Sequence, residues 1–255
     1  MSNKIKSEII ILCKSKFFIW IFTGEVVLMA YNAFKVGSQM QSSVKGGYYT
    51  YILMTLAYLL GIVLPIAMGG FLGGFDEQEK MMEYKLCNQS RRCWFVTKLL
   101  TIPILSMCVL LTFTGVGVLV DLSKGTMEGA FFSNFVLIIQ RFGVVWAIWM
   151  FWGLFSFGIG LISNSSRGSV IFSMLIYYGE QYIGRYLRVS YGILWNQKSI
   201  EHFFFCENSV PFGVVQSSYE NIGKSSIYLF GWMILVFSVS YIYLKKKYPM
   251  KRNFI

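Results

Sequence analysis

Charge is scarce in this sequence. Of its 255 residues, 14% are Asp, Glu, Lys or Arg, where a soluble domain carries about 25%. So few charges cannot clothe a water-facing surface of this size, so much of the outer surface must meet lipid. Proline is scarce as well, with four residues, which argues against a loop-rich fold and suits long helices. Histidine occurs once, at His202. Five cysteines (Cys13, Cys87, Cys93, Cys108 and Cys206) form no CxxC pair, so neither a disulfide framework nor a zinc site is expected. A signal peptide is not expected either. Charges interrupt the first fifteen residues, and no small-residue cleavage site follows the first apolar run.

What is abundant is apolar and aromatic: 55% of residues are hydrophobic and 18% aromatic. A bilayer core about 30 Å thick takes roughly 20 apolar residues in a helix. Six segments qualify: Phe17–Phe34, Tyr49–Phe75, Leu99–Val120, Phe135–Ile162, Ser169–Tyr182 and Ile227–Leu244. The second and fourth are long and must tilt or protrude; the fifth is short. The formal charge is +11, but the cations lie between apolar segments and at the two ends. That placement fits anionic headgroups and control of topology, not nucleic acid. With the N-terminus in the cytoplasm, fifteen of the 23 Lys and Arg residues fall inside. The Lys245–Lys247 tail is the strongest single indication. The expectation is a multi-pass plasma-membrane protein, a single transmembrane domain over 1–255 with both termini cytoplasmic.

Three local patterns stand out. Within residues 1–16, Ile5, Ile9 and Leu12 recur at helical spacing with Lys4, Lys6 and Lys14 on other faces. This is an amphipathic helix, lying in the headgroup plane or extending the first span. In the second span, Ala57, Gly61, Pro65, Gly69 and Gly73 repeat every four residues. That spacing keeps them on one helical face, made for close packing within the chain or between subunits. The run Asp76-Glu77-Gln78-Glu79-Lys80-Met81-Met82-Glu83-Tyr84-Lys85 is the longest charged stretch. It reads as a short cytoplasmic helix capped by Asp76, or as a solvated loop. Within the first span, Glu25 is a carboxylate in apolar surroundings, a candidate for the substrate path or a hydrogen-bonded packing residue.

The order of these parts resembles the permease subunits of ABC type-2 exporters. It runs from a basic amphipathic start through a small-residue second span with a Gly69-Gly70-Phe71-Leu72-Gly73-Gly74 exit to an acidic turn. Ser90-Arg91-Arg92 then leads into the third span. The size and sequence character look most like the small permeases of antimicrobial-peptide exporters, the lantibiotic immunity group among them. The resemblance implies an all-α integral membrane fold of six transmembrane helices with an N-terminal interfacial helix. It implies that residues 76–98 form a coupling segment docking a separate ATP-binding subunit, with Asp76, Glu77, Glu79, Glu83, Arg91 and Arg92 at that contact. ATP and magnesium would then belong to the partner, with no cofactor on this chain. A second permease copy, or a related permease, would complete the pathway across an interface that could use Gly61, Gly69 and Gly73. Residues 184–224 would cap the outer mouth.

No other chemistry competes strongly. Gly223-Lys224-Ser225 echoes a phosphate loop, but the position that needs its first glycine is Ser218. Glu201, His202, Cys206 and Glu207 lie near one another in sequence without any sign of a positioned nucleophile–base pair. No catalytic or metal-ligating residues are assigned. The alternative function is an immunity or scaffold protein that binds a toxic peptide at the membrane without pumping.

Overall fold

The computed structural model describes residues 2–37, 48–82, 85–86, 90–124, 131–191 and 222–248. Among these residues every regular element is helical. We number the helices α1 (Ser2–Lys14), α2 (Lys16–Gly37), α3 (Tyr48–Leu59), α4 (Val63–Gln78), α5 (Arg91–Lys124), α6 (Phe131–Ser163), α7 (Ser166–Tyr191) and α8 (Ile222–Lys247). Among the described residues two stretches are long and apolar enough to cross a membrane, Arg91–Ser123 of α5 and Val145–Ser163 of α6. Phe18–Leu28 and Val63–Asp76 are shorter apolar helices.

The chain divides into two compact units, Met1–Met68 with Val96–Gly153 and Gly69–Phe95 with Leu154–Ile255. In the first unit α1 buries one face. Leu12 and Glu8 are buried and Ile5 and Ile9 partly so, while Lys4, Lys6 and Lys14 are exposed. The expected apolar stripe is therefore present, with an acid added to it. Ser15 separates α1 from α2 and caps α2, its hydroxyl accepting from the Phe18 N–H.

The second expected span is not one helix. The chain turns at Leu60–Ile62 between α3 and α4, so Ala57, Gly61 and Gly69 do not share a continuous face. Pro65 explains the break. Its ring would clash with the carbonyl four residues back and its nitrogen has no hydrogen to donate, yet both are tolerated in the first turn of α4. The Gly61 N–H bonds to the Leu56 carbonyl instead of that of Ala57. The indole N–H of Trp149 then donates to the Ala57 carbonyl at 3.0 Å. A Cβ on Gly61 would meet Ala57 backbone at 2.8 Å and the Trp149 ring at 3.0 Å, so this glycine serves packing within the chain.

In the second unit the end of α4 lies against the end of α6. A Cβ on Gly160 would meet the Gly74 nitrogen at 2.9 Å and the Gly70 carbonyl at 3.0 Å. One on Gly73 would overlap the Phe157 carbonyl. Such backbone approach maximises dispersion contact where no hydrophobic drive acts between helices. Gly69 is buried on the same helix. A two-residue turn links α6 to α7. Asn164 takes a left-handed φ of 55°, which asparagine tolerates. Ser165 caps α7 through a hydrogen bond from the Gly168 N–H at 3.1 Å. The expected fifth span, Ser169–Tyr182, proves to be part of a longer helix, since α7 runs for 26 residues. It takes in the start of the expected outer segment 184–224, whose residues 192–221 lie outside the described residues.

The outside of these helices is apolar. On α5, Val96, Leu100, Ile104, Met107 and Leu111 are all exposed at spacings of three and four. On α8, Phe230, Ile234, Leu235, Val239 and Ile242 are exposed, and on α7 Ile171, Phe172 and Leu175. The buried set, in contrast, includes Asp76, Lys98, Thr101, Asp121, Ser156 and Ser169. Extended exposed apolar stripes mark a surface made for lipid or for a partner.

Candidate functional site

The charged elbow between α4 and α5 is built from both helix ends. At its close α4 carries Lys80 in the left-handed region, φ 55°. The Met81 N–H reaches back to the Asp76 carbonyl at 2.7 Å. This is a Schellman closure, with lysine where glycine is usual. Beyond it Met82, Lys85 and Leu86 are helical, and the Lys85 N–H bonds to the Met81 carbonyl at 3.0 Å. The start of α5 is capped by Ser90, whose hydroxyl accepts from the Cys93 N–H at 3.2 Å.

Asp76 therefore does not cap a new helix, as its position in the acidic run implied. It lies in the last turn of α4 and is fully buried. A carboxylate there meets the negative end of the helix dipole. Two donors offset that cost. Lys85 Nζ lies 2.7 Å from Oδ1, and the Trp94 Nε1–H donates to Oδ2 at 2.9 Å. Trp94 is 1% exposed and its ring lies 6.4 Å from that of Phe157. Next to it, Phe95 packs on Phe157, Phe237 and Tyr241. The carboxylate thus ties the end of α4 to the first turn of α5 and, through Trp94, to the aromatic centre of the second unit.

The other expected elbow residues are placed differently. Glu79 and Arg92 are exposed. Arg91 is half-buried and donates to the Lys245 carbonyl at 3.4 Å. Glu77 is in α4 with no described side chain, and Glu83 lies outside the described residues. The elbow is a pinned interior with Glu79, Lys80 and Met81 on its outer side. In the first unit, Glu25 is partly exposed on α2, and its Oε2 is enclosed without a hydrogen-bond partner.

Two buried acids escaped the sequence reading. Asp121, near the end of α5, is fully buried. It accepts from the Tyr49 N–H at 2.9 Å, the Thr50 N–H at 2.8 Å and the Thr50 hydroxyl at 2.6 Å. These N–H groups are the ones an N-cap side chain ordinarily satisfies. Gly47, the residue before α3 in the sequence, has no side chain to offer, and Asp121 supplies the cap from another helix. Gly117, one turn earlier on α5, allows the approach, since a Cβ there would meet Thr50 Cα at 2.8 Å. The second acid is Glu8, paired with Lys98 at 2.7 Å with both side chains almost wholly buried. That pair fastens α1 to α5. Aspartate just beyond an apolar run was the available signal for Asp121; nothing local marked Glu8.

Among the described residues no group of three or more His, Cys, Asp and Glu is arranged to hold a metal ion. The clustered polar groups bind one another and hold helix ends. Comparisons with protein-family models, curated proteins and solved structures return no match to this chain.

Proposed function

We propose that this chain is the membrane-embedded permease subunit of an ATP-driven ABC type-2 exporter. α2, the α3–α4 pair, α5, α6, α7 and α8 would supply six crossings, and both ends would be cytoplasmic. At about 1.5 Å per residue each of these except the broken pair exceeds 30 Å, and the pair in series has length to spare. The exposed apolar stripes on α5, α7 and α8 support a lipid setting.

The observation that carries the reading is the elbow. A loop that only joins two spans needs no buried ion. This one holds Asp76, Lys85 and Trp94 together, so a push on its outer side would move the end of α4 and the start of α5 as one piece. The partner would bind ATP and magnesium, and its closure would shift an equilibrium between two arrangements of the spans. An amphipathic substrate such as an antimicrobial peptide suits a pathway bounded by apolar helices, with Glu25 a candidate to meet it and a second permease completing the path.

The test is co-isolation of an ATP-binding subunit with the tagged chain from its native membrane. Glu79→Lys combined with Glu83→Lys should lower recovery of that subunit about fivefold, as expected for reversing charge at an interface. Unchanged recovery together with unchanged transport would remove the elbow from the contact.

A further inference from the structure

Three helix ends of the second unit are fastened together. Arg91 at the start of α5 donates to the Lys245 carbonyl at the end of α8. Lys247 donates to Asn164 Oδ1, in the α6–α7 turn, at 2.6 Å, and lies over the rings of Tyr243 and Tyr248. These contacts gather Arg92, Arg167, Lys245 and Lys246 at one end of the unit. All four are exposed, and none has a carboxylate within ion-pair distance among the described residues. The capped first turns of α5 and α7 open at the same end and add the positive ends of their dipoles.

What adjoins these cations distinguishes among anions. One turn from Arg167, on the same face of α7, comes exposed Ile171, and one turn further Leu175. One turn back from Lys246 on α8 comes exposed Ile242, then Val239. On two helices a cation is thus followed, toward the helix middle, by a ladder of exposed apolar side chains. A free phosphate would use the cations alone, and an acidic protein surface would leave the ladders uncovered. A phospholipid uses both, its headgroup on the cations and its acyl chains along the ladders.

We infer that this end of the second unit is a binding site for an anionic phospholipid. Arg92, Arg167, Lys245 and Lys246 hold the headgroup, while Ile171, Leu175 and Ile242 receive acyl chains. The inference rests on the membrane reading above and is independent of which partner drives the chain.

The experiment uses the full chain reconstituted in vesicles of equal phosphatidylglycerol and phosphatidylcholine. It is then re-extracted in mild detergent, and the co-purifying lipids are counted by mass spectrometry. Phosphatidylglycerol should be enriched over the bulk ratio, and millimolar inorganic phosphate should not displace it. The combined substitutions Arg92→Gln, Arg167→Gln, Lys245→Gln and Lys246→Gln should cut the enrichment about fivefold or more. A control of equal charge change, Lys4→Gln, Lys6→Gln, Lys14→Gln and Lys16→Gln, should leave it in place. Equal enrichment in both variants, or an equal fall in both, overturns the site. Displacement by phosphate, or by a soluble polyglutamate peptide at matched charge, overturns the lipid assignment. A chain that stays in the aqueous phase with neither lipid attached sinks the membrane reading itself.

Discussion

Asp76→Ala is expected to lower the stability of the detergent-solubilised protein by about 3 kcal/mol, because it removes one partner of a buried ion pair. The value belongs at the low end of the range for such pairs because Lys85 is 15% exposed and can turn to water once released. Trp94 cannot, and its indole N–H loses the carboxylate that accepts it at 2.9 Å. Asp76→Asn keeps an acceptor for Trp94 while discharging the pair, so its cost should be roughly half as large. Thermal unfolding followed by tryptophan fluorescence checks the order Ala, then Asn, then wild type. If the elbow transmits force, the Asn variant should also transport less than its stability alone explains.

The second large effect is at Asp121. Asp121→Ala strands two backbone donors and a hydroxyl at the start of α3. The expected loss is about 2–3 kcal/mol, more than a surface N-cap is worth, because the Thr50 N–H and hydroxyl are buried and cannot turn to solvent. Thr50→Val removes one of the three bonds and should cost less. Because both substitutions act on one cluster, the double variant should be markedly less unstable than the sum of the two. Additive losses would mean that the carboxylate and the hydroxyl do not act together.

What the sequence revealed and what it hid divide along one physical line. Patterns carried by neighbours in the chain were legible. The face of α1 made by Ile5, Ile9 and Leu12 is such a pattern, and so is the close packing of Gly73, a member of the small-residue repeat. Partnerships across the chain were not. Glu8 looks like an exposed charge until Lys98, ninety positions on, closes over it. Asp121 looks like the first residue of a loop until α3 arrives with its unsatisfied N–H groups.

Periodicity also misled where covalent geometry intervened. Ala57, Gly61, Pro65, Gly69 and Gly73 keep a spacing of four, but the spacing defines a face only while the helix continues, and it breaks at Leu60–Ile62, just before the Pro65 turn. In the acidic run, Asp76 has the chemistry of an N-cap, but its place in the last turn of α4 gives it Lys85 and Trp94 as partners instead. The Gly-rich segment before it is helical, as the expected second span has it, and α4 continues through it to Gln78. Packing against α6 holds these glycines helical despite their poor propensity.

The central claim is that the elbow faces the cytosol, where a nucleotide-driven partner can reach it. The most direct measurement starts from a chain whose native cysteines are replaced, with Glu79→Cys introduced on the outer side of the elbow. The probe is a membrane-impermeant maleimide. The expected result is no labelling in intact cells and full labelling after permeabilisation. Labelling of intact cells would put the elbow on the external face and contradict the claim.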